Sequence, residues 1–388
     1  MNTVAVLGAA GTIGPAIVAD LARSPAVERV LLLDLDLAAV QAVAADHGGA
    51  KAETGNVDAR RSEDLAGALQ AGETAVLVNA ASYRLNLSVM EAALAAGCHY
   101  LDLGGLYHLT RRQLELGPRF AAAGLTAILG MGSSPGKTNL MAALAAARLD
   151  RVDALHVSAA ATDPTPPADG RLVTPYALET LLDELTMPAV VLRGGDAKEV
   201  AALTDGGEID FPEPVGRRRA VYTLHSELAT FPMSFPGLGE ASFRLSLAPV
   251  VADRLELLAE CGLADTEPLE IRGVPVVPRA VLLACLARRG ATTPPSNRTT
   301  AVHVVEAEGK RDGRPAAVRV ESVTTPHEVW GMGGGVVSTA APAAEAARRL
   351  LAGAEVPAGV VAPEQAFEAE GFLAALADAG CRVTVHDR

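Results

Sequence analysis

Apolar and polar positions near the start of the chain predict a strand, a turn and a helix in that order. Residues 3–7 (TVAVL) form a Val-rich apolar run of strand length. Residues 15–21 begin with proline, which a helix tolerates in its first turn, and then place apolar side chains at helical spacing. Gly8, Gly11 and Gly14 lie between the two runs, so they mark the turn that joins the strand to the helix.

A glycine turn between a strand and a helix is the setting in which α/β proteins bind the pyrophosphate of a dinucleotide. We expect Gly8 to allow the tight turn, Gly11 the close approach of phosphate, and Gly14 the packing of helix on strand. Thr12 and Ile13 open the helix, whose free N–H groups and positive dipole end favour an anion. The pattern GxxGxxG therefore predicts a cofactor site, with a chance glycine turn of another α/β protein as the alternative.

An acidic residue ends the second predicted strand and indicates which nicotinamide cofactor binds. Residues 30–33 (VLLL) are apolar and Asp34 follows them, where a carboxylate accepts hydrogen bonds from the adenosine ribose and repels a 2′-phosphate. This favours NAD over NADP, although Arg60 and Arg61 could approach the same ribose, so NADP stays possible. Asp58 ends the next strand pattern, and it either reaches the adenine or caps a turn.

Strand and helix patterns continue to alternate as far as residue 129. The later strand patterns are 50–54, 75–79, 99–103 and 125–129, and the helical patterns are 37–46, a helix capped at 62, 87–96 and 113–123. Repeated βα units of this kind predict a parallel, doubly wound Rossmann sheet in a domain over residues 1–130. Asn79, Ala80 and Tyr83 follow a buried strand at the carboxyl edge of this sheet, where we expect them to border the nicotinamide, with capping of the following loop as the alternative for Asn79.

The pattern changes in the second half of the chain, where apolar and polar residues alternate. Strand patterns of this kind are 154–161, 219–224, 241–248, 299–308 and 316–323, with helical patterns at 177–185, 252–261 and 278–288. Alternation is typical of antiparallel strands with one covered face, so we expect an α+β domain over residues 131–330. Residues 331–388 contain further helical patterns and a last short strand, and we expect this segment to return to the Rossmann domain.

Composition and charge limit the kinds of partner that we expect the protein to bind. No apolar run approaches the length of a membrane span, and a net charge of −13 with no basic run argues against a nucleic-acid partner. Cys98, Cys261, Cys285 and Cys381 are scattered without metal-type spacing, which predicts no metal site and fits reduced thiols. Because the chain passes directly into its first strand without a leader pattern, we expect a cytoplasmic protein with no membrane partner.

Two motifs that would indicate other classes of enzyme are incomplete or absent in this sequence. Residues 131–138 (MGSSPGKT) end like a P-loop, but Met131 stands where that loop needs glycine and Pro135 lacks an N–H for phosphate. We therefore expect this segment to line a cleft and to open a helix at Thr138 and Asn139. None of the tyrosines has a lysine four residues later, which excludes short-chain dehydrogenase chemistry.

Several segments resemble the saccharopine dehydrogenase and reductase family. They are YLDLGG at 100–105 with His108 nearby, GSSPG at 132–136 with Thr138 and Asn139, LLDELTMPA at 181–189, and the segment from His225 to SFPG at 234–237. The most similar pattern is that of the L-lysine 6-dehydrogenases. The resemblance implies a nicotinamide-binding Rossmann domain, an α+β domain, a homodimer, and an amino-acid substrate between the domains.

Five residues are candidates for the chemistry at such a site. Asp102 ends a strand at the carboxyl edge and His108 follows it, so either one suits proton transfer, with capping and a surface histidine as alternatives. His225 and Glu227, two apart on a predicted strand, point to one side and suit an acid–base group and a substrate ammonium, with a solvent-facing pair as the alternative. Arg244 within FRLSL is a candidate carboxylate clamp or an exposed strand arginine.

These observations predict an NAD(P)-dependent oxidoreductase that acts on the C–N bond of an amino acid. The resemblance implies oxidative deamination of lysine to a semialdehyde that cyclises to a piperideine carboxylate. In that reaction Asn139, Glu227, Arg244 and Tyr83 are expected to contact the substrate. One alternative is reductive condensation of an aldehyde with an amino acid, as saccharopine reductase performs, and another is a dinucleotide-binding sensor without turnover.

Overall fold

The structure, a computed structural model, describes residues 2–165, 171–174 and 176–388. The strands, in chain order, are β1 Thr3–Leu7, β2 Arg29–Asp34, β3 Ala52–Asn56, β4 Val76–Asn79, β5 His99–Asp102, β6 Thr126–Ile128, β7 Arg151–Thr162, β8 Leu172–Val173, β9 Ala189–Arg193, β10 Asp196–Val200, β11 Asp205–Asp210, β12 Arg217–Tyr222, β13 Glu240–Ser246, β14 Leu269–Ile271, β15 Val274–Val276, β16 Thr292–Thr293, β17 Thr300–Arg311, β18 Arg314–Thr324, β19 Gly359–Val361 and β20 Cys381–Asp387. The α-helices are α1 Gly14–Arg23, α2 Leu37–Val43, α3 Ser62–Ala71, α4 Asn86–Ala96, α5 Leu106–Leu114, α6 Gly117–Ala122, α7 Lys137–Ala146, α8 Leu178–Thr186, α9 Glu227–Ser234, α10 Pro249–Glu260, α11 Pro278–Arg289, α12 Gly334–Leu351, α13 Pro363–Ala366 and α14 Ala369–Ala375.

A parallel sheet of seven strands forms the first layer, in the order β3-β2-β1-β4-β5-β6-β19. The inner strands β1, β2 and β4 are mainly apolar because helices cover both faces, whereas the edge strand β3 (AETGN) is polar and partly exposed. Val4 and Val6 of β1 join the core cluster that includes residues of α1 and α12, whereas Ala5 and Leu7 join the cluster with α3 and α4. The prediction of a doubly wound Rossmann sheet is confirmed.

One predicted helix of this part is wrong. Instead of a single helix over 113–123, the chain forms α5, which begins at Leu106, and a separate α6. Pro118 lies in the first turn of α6, and because it has no N–H it could not donate to the carbonyl of Leu114 in a continuous helix. The break between α5 and α6 therefore follows from Pro118, and His108 lies on a helix.

A second, mixed sheet has the order β10-β9-β13-β7-β17-β18-β20, with the β11–β12 hairpin attached to β13 through β12. We predicted antiparallel strands, but β13 and β7 pair in parallel. Parallel neighbours need a long crossover, and the chain between these strands supplies one with α8, two hairpins and α9. Val157, Phe243 and Val305 share one face of the sheet and belong to the core cluster that also contains Val4 and Val6.

The last part of the chain contributes to both sheets. Helix α12 packs on α1, and β19 extends the first sheet beside β6. The final strand β20 then pairs with β18 at the edge of the second sheet. In the ranges described above, no helix has both the length and the hydropathy needed to cross a bilayer.

Candidate active site

The glycine turn after β1 lies directly against the loop after β4. Gly8 has φ +76°, and a Cβ there would lie 2.7 Å from the Ala81 nitrogen. A Cβ on Gly14 would lie 2.5 Å from the carbonyl oxygens of Gly8 and Ala9, so both positions require glycine. A Cβ on Gly11 would meet only the Gly8 oxygen, at 3.2 Å, and would otherwise project into the space beside the turn.

This turn fits the pyrophosphate of a dinucleotide. The first N–H groups of a helix have no intrahelical partner and point out of its N-terminus. Helix α1 begins at Gly14, with Thr12 and Ile13 directly before it, so these amides lie at the turn. Ala80 and Asn79 follow β4 at the same carboxyl edge, beside Gly8. The predicted cofactor residues of both segments therefore lie close together.

Asp34 ends β2 with its carboxylate turned towards the glycine turn. Its Oδ2 accepts a hydrogen bond from Ala10 N at 3.0 Å, and its Oδ1 accepts one from Leu35 N at 2.7 Å. Half-buried beside the turn, this carboxylate is placed to accept hydrogen bonds from a cofactor ribose. An anionic group here also repels a second anion such as a 2′-phosphate.

Asp58 and the two neighbouring arginines are engaged with one another. The Arg60 guanidinium donates to both oxygens of Asp58, from Nε at 2.8 and 3.1 Å, and lowers the pKa of that carboxyl to about 2. Asp58 Oδ1 also accepts from Arg60 N at 3.0 Å, so Asp58 caps a turn, which is one of its two predicted roles. Arg61 pairs with Asp64 at 2.9 Å.

Asp102, at the end of β5, is a buried carboxylate surrounded by donors. Its Oδ1 accepts from Gly130 N at 2.6 Å and Gly104 N at 3.0 Å, and its Oδ2 accepts from three side chains: Gln113 at 2.6 Å, Tyr100 at 3.0 Å and Asn86 at 3.1 Å. Burial raises the pKa of Asp102, and these donors oppose that shift only in part. Since both oxygens are occupied, the contacts are those of a carboxylate that holds the loop after β5.

Asn79 extends the same buried network. Its Nδ2 donates to Asn86 Oδ1 at 3.0 Å, and its Oδ1 accepts from Ala81 N at 3.1 Å. Asn79 therefore fixes the loop after β4 that carries Ala80 and Tyr83. The structure thus links the ends of β4 and β5 through side-chain amides.

Tyr83 lies at the boundary between the two sheets. Its hydroxyl donates to Asp183 Oδ2 at 2.5 Å, and burial together with this carboxylate raises the pKa of Tyr83. Asp183, on α8, also forms ion pairs with Arg84 and with the buried Arg279 of α11. These contacts join the segment after β4 to two helices of the second half of the chain.

His225 and Glu227 form a buried ion pair, although neither lies on a strand. The strand predicted over 219–224 is β12, which ends at Tyr222, and Glu227 is the first residue of α9. Their expected placement on one strand face is wrong, because an acidic residue at that position favours a helix N-terminus. The His225 Nδ1 nonetheless bonds to Glu227 Oε2, and its ring stacks on Phe243 with centroids 3.6 Å apart.

Burial and charge oppose each other in this pair. Burial by itself lowers the pKa of His225, but the Glu227 carboxylate, and to a lesser extent Glu184, raise it above its usual value. Burial raises the pKa of Glu227, yet His225 and Ser134 outweigh it and lower that pKa. The pair therefore favours a protonated imidazole beside an ionised carboxylate.

The predicted cleft loop, residues 131–138, closes over this pair. Ser134 and Thr138 donate to Glu227 Oε1 at 2.8 and 2.9 Å. Asn139 is buried and donates to Glu364 at 2.9 Å, while its Oδ1 accepts from Gly136 N at 2.9 Å. Asn139 therefore connects the loop to the C-terminal segment and does not face the cleft.

An open cleft of about 160 Å³ lies at the surface. Gly105, in its lining, donates to Ser226 Oγ at 3.4 Å, and Ser226 lies between His225 and Glu227 in the chain. Residues 131–138, predicted to line a cleft, are not among the residues that line this one. Among its lining residues are Tyr83, Gly105, His108, Met187 and Leu224. His108 is exposed on α5 and its ring lies edge-on to Tyr107, so it sits at the rim. Leu224 precedes His225, which places the buried pair behind the cleft wall.

Arg244 lies on the other face of the second sheet. Neighbouring residues of a strand point to opposite faces, and Phe243 is the one that stacks on His225. The Arg244 guanidinium instead lies 3.6 Å from Glu306, in a separate surface cavity. The structure therefore does not bring Arg244 to the cleft, and its alternative role as an ordinary strand arginine fits better.

Several buried polar residues near the cleft were not predicted. Glu184, next to Asp183 on α8, bonds to Tyr176, and burial raises the pKa of Glu184 to about 7. Two adjacent acids inside an apolar helical pattern were the available sequence signal. Lys137 and His303 are buried as well, but a lysine in the loop over 131–138 and a single histidine in an apolar run gave no comparable signal. Among the described residues, no group of three or more His, Cys, Asp or Glu side chains could hold a metal ion.

Both halves of the chain match one protein family. Residues 4–128 match the saccharopine dehydrogenase NADP binding domain, and residues 132–381 match the saccharopine dehydrogenase C-terminal domain. The carboxyaminopropylagmatine dehydrogenase of Synechocystis is 26% identical over 98% of this chain and 96% of its own. The carboxynorspermidine synthase of Vibrio cholerae is 26% identical over 69% of this chain and 66% of its own.

Two solved structures share the fold. Saccharopine dehydrogenase (L-Glu forming) from Saccharomyces cerevisiae has a TM-score of 0.76 at 17% identity, covering 100% of this chain and 99% of its own. Homospermidine synthase from Legionella pneumophila, solved with NAD, has a TM-score of 0.70 at 13% identity, covering 100% and 91%. At these identities the likeness concerns the fold.

Proposed function

The chain belongs to the saccharopine dehydrogenase family of NAD(P)-dependent oxidoreductases, and we propose that it joins an aldehyde to an amine by reductive condensation. The amine substrate is an amino acid or a polyamine. The observation that carries this proposal is the buried His225–Glu227 pair, which lies behind a cleft at the carboxyl edge of the Rossmann sheet. Glu184 is close enough to raise the pKa of His225. A cluster with two glutamates suits a cationic amine.

The proposed reaction needs a group that exchanges protons near neutral pH. The amine must lose a proton before it attacks the aldehyde carbon, and the adduct then loses water to give an imine. The cofactor, when bound, supplies the hydride that reduces this imine carbon to a secondary amine. His225 can hold or release a proton at Nε2 while its Nδ1 is fixed by Glu227, which raises its basicity.

The relatives' names support the substrate class. Carboxyaminopropylagmatine and carboxynorspermidine are polyamines that carry a carboxyl group, and each is named as the compound of a dehydrogenase or a synthase. A product of this type contains a secondary amine between an amino-acid portion and an amine portion. Reductive condensation forms that bond.

Oxidative deamination of L-lysine is the second candidate. It is supported by the segments at 100–105, 132–136 and 181–189, which resemble the L-lysine 6-dehydrogenases. Both candidates use the same kind of C–N chemistry in opposite directions. A homodimer in the cytoplasm remains the sequence-based prediction for either one.

We propose NAD as the preferred cofactor. Asp34 places a negative charge beside the expected ribose position, and Arg60 and Arg61 are engaged with Asp58 and Asp64. Neither arginine is therefore positioned to offset the repulsion between Asp34 and a 2′-phosphate.

Absorbance at 340 nm tests the two reactions. The first assay contains NADH or NADPH, aspartate semialdehyde, and either agmatine or 1,3-diaminopropane, and we expect the absorbance to fall. The second contains L-lysine with NAD or NADP, and a rise there without activity in the first assay supports lysine oxidation instead. No change in either assay, with cofactor binding detected by calorimetry, contradicts the proposal and favours a sensor.

A further inference from the structure

Lys137 is a fully buried lysine at the N-terminus of α7. Its Nζ donates to Ser338 Oγ at 2.6 Å and to Thr324 Oγ1 at 3.1 Å, and both acceptors are neutral hydroxyls. Within the described part of the chain it forms no ion pair, and burial lowers its pKa. A buried cation normally has an anionic partner, and a helix N-terminus disfavours a cation, so this position is unfavourable on both grounds.

A series of hydrogen bonds leads from Lys137 through Ser338 and Ser133 to His303. Because an ammonium only donates, Ser338 accepts from Lys137 and donates to Ser133 Oγ at 2.6 Å. Ser133 then donates to His303 Nε2 at 3.0 Å. The direction of these bonds places the proton of a neutral His303 on Nδ1.

This series of hydrogen bonds ends at His303, whose Nδ1–H has no acceptor in the described ranges. His303 Nδ1 is buried and has no hydrogen-bond partner within the described residues. Burial, together with the positive charges of Lys137 and His225, holds the pKa of His303 well below its usual value, so the ring is neutral. A buried N–H without an acceptor is costly, which points to an acceptor that the protein itself does not supply.

Ser133 and Ser134 are neighbours in the loop over residues 131–138, and hydrogen bonds link them to side chains of opposite charge. Both are partly exposed, and while Ser133 is linked to His303 and Lys137, Ser134 donates to Glu227. Behind Ser133 the loop therefore has the buried Lys137 and the free N–H of His303. Behind Ser134 it has the Glu227 carboxylate. A substrate with an amine and a carboxylate has the matching separation of charge.

We propose that His303, held in place by Ser133 and by Lys137 behind it, forms the subsite for the carboxylate of the substrate, and that the Glu227 side receives the amine. This rests on the proposed function, which supplies a carboxylated substrate. His303 Nδ1–H donates to the carboxylate, and Lys137 is a positioning residue that orients the chain and adds positive charge. A water molecule would satisfy His303, but only an anion would also oppose the burial that lowers the pKa of Lys137, which is why an anion fits better.

Binding of acetate to ¹⁵N-histidine-labelled protein tests the subsite without turnover. Long-range ¹H–¹⁵N spectra should show His303 as the Nδ1–H tautomer, with its signal assigned by loss in the His303→Gln variant. Acetate should shift this signal in a saturable way, and the neutral acetamide should not. An unshifted signal at saturating acetate, or an equal response to acetamide, would overturn the proposal.

Two substitutions of His303 separate binding from loop support. His303→Asn keeps an N–H near the Nδ1 position, whereas His303→Gln keeps an acceptor for Ser133 near the Nε2 position but lacks the Nδ1 donor. We expect His303→Asn to retain the parent KM for aspartate semialdehyde, and His303→Gln to raise it about 10- to 100-fold with kcat little changed. The reverse order would show that His303 only supports Ser133.

Lys137→Met removes the buried charge and keeps the length of the side chain. We expect the acetate-dependent shift of His303 to be lost in this variant, while the folded signals of the other histidines persist. Retention of the shift would remove Lys137 from the subsite. If the condensation assay fails but acetate still binds as described, the proposed reaction is wrong and the anion subsite stands.

Discussion

Three aspartates follow strands of the first sheet, and their neighbours give them different roles. Asp34 is half-buried beside the glycine turn, Asp58 is held by Arg60, and Asp102 is buried among five donors. All three had the same sequence signal, an acid at the end of a predicted strand. Only the donors around each carboxylate distinguish a ribose ligand from a turn cap and from a structural acid.

Asp34 should set the preference between the two nicotinamide cofactors. Asp34→Asn keeps the shape of the side chain but removes the charge that repels a 2′-phosphate. We expect the ratio of kcat/KM for NAD to that for NADP to fall by about 10- to 100-fold. The control is Asp36→Asn, at the cap of α2, for which the ratio should not change. An unchanged ratio in Asp34→Asn would count against the cofactor proposal.

The His225–Glu227 pair should set the pH dependence of the reaction. In the oxidative direction the base must be unprotonated, so kcat/KM rises as pH increases through the raised pKa of His225. Glu227→Gln removes the charge that raises this pKa, and burial then lowers it. We expect the acid limb of the pH profile to move to lower pH.

Glu364→Gln serves as the comparison for that profile. Glu364 bonds to Asn139 and Ser234 and has no contact with His225. Its substitution should leave the limb where it is in the parent enzyme. If Glu227→Gln also leaves the limb unmoved, a group other than His225 titrates.

At the scale of elements, the local pattern predicted most strands. It did not predict elements whose bounds depend on a turn or on a helix terminus. Strands β1, β2, β4 and β6 of the Rossmann sheet were predicted because each lies in a mainly apolar run between turn signals, whereas β19 was not predicted. Helix α9 was missed since it contains proline and spans only Glu227–Ser234, directly after a strand. The parallel pairing of β13 with β7 was missed because periodicity of two is common to both kinds of sheet.

The glycine turn gives a test at this scale. Gly8→Ala forces a side chain into a backbone with φ +76° and against the Ala81 nitrogen. We expect a loss of about 1–3 kcal/mol in the free energy of unfolding, measured with urea, and loss of cofactor binding by calorimetry.

Gly67→Ala is the matched control for this substitution. Gly67 lies exposed in α3, and the position that a Cβ would occupy there has no other atom within 4 Å. The same change there should stabilise the protein by about 0.5–1 kcal/mol. Equal effects at the two positions would contradict the packing described for the turn.

At the scale of the molecule, the candidate site is assembled from segments that are far apart in the chain. The loop over 131–138 meets Glu227, which is 93 residues from Ser134, and His303, which is 170 residues from Ser133. Tyr83 meets Asp183 across 100 residues. Packing of the two sheets therefore creates the cleft wall.

Asp183 should stabilise the contact between the segment after β4 and helices α8 and α11, which we call the joint. Asp183→Asn leaves the buried Arg279 without its carboxylate and weakens the contacts of Tyr83 and Arg84. We expect a loss of about 3 kcal/mol in the free energy of unfolding by urea. Asp196→Asn, which affects an exposed pair with Lys198, should change it by less than about 1 kcal/mol. Similar effects of the two substitutions would show that the joint depends on apolar packing alone.

The sequence by itself determined the Rossmann sheet, the glycine turn and Asp34, because each depends on periodicity or backbone conformation within a few consecutive residues. The tertiary structure decided which polar residues meet: His225 with Glu227 and Ser134, and Lys137 with His303 through two serines. It also separated Arg244 from the cleft, since strand register and sheet packing determine the face to which a side chain points. Such contacts depend on distances between remote segments, which local sequence patterns do not specify.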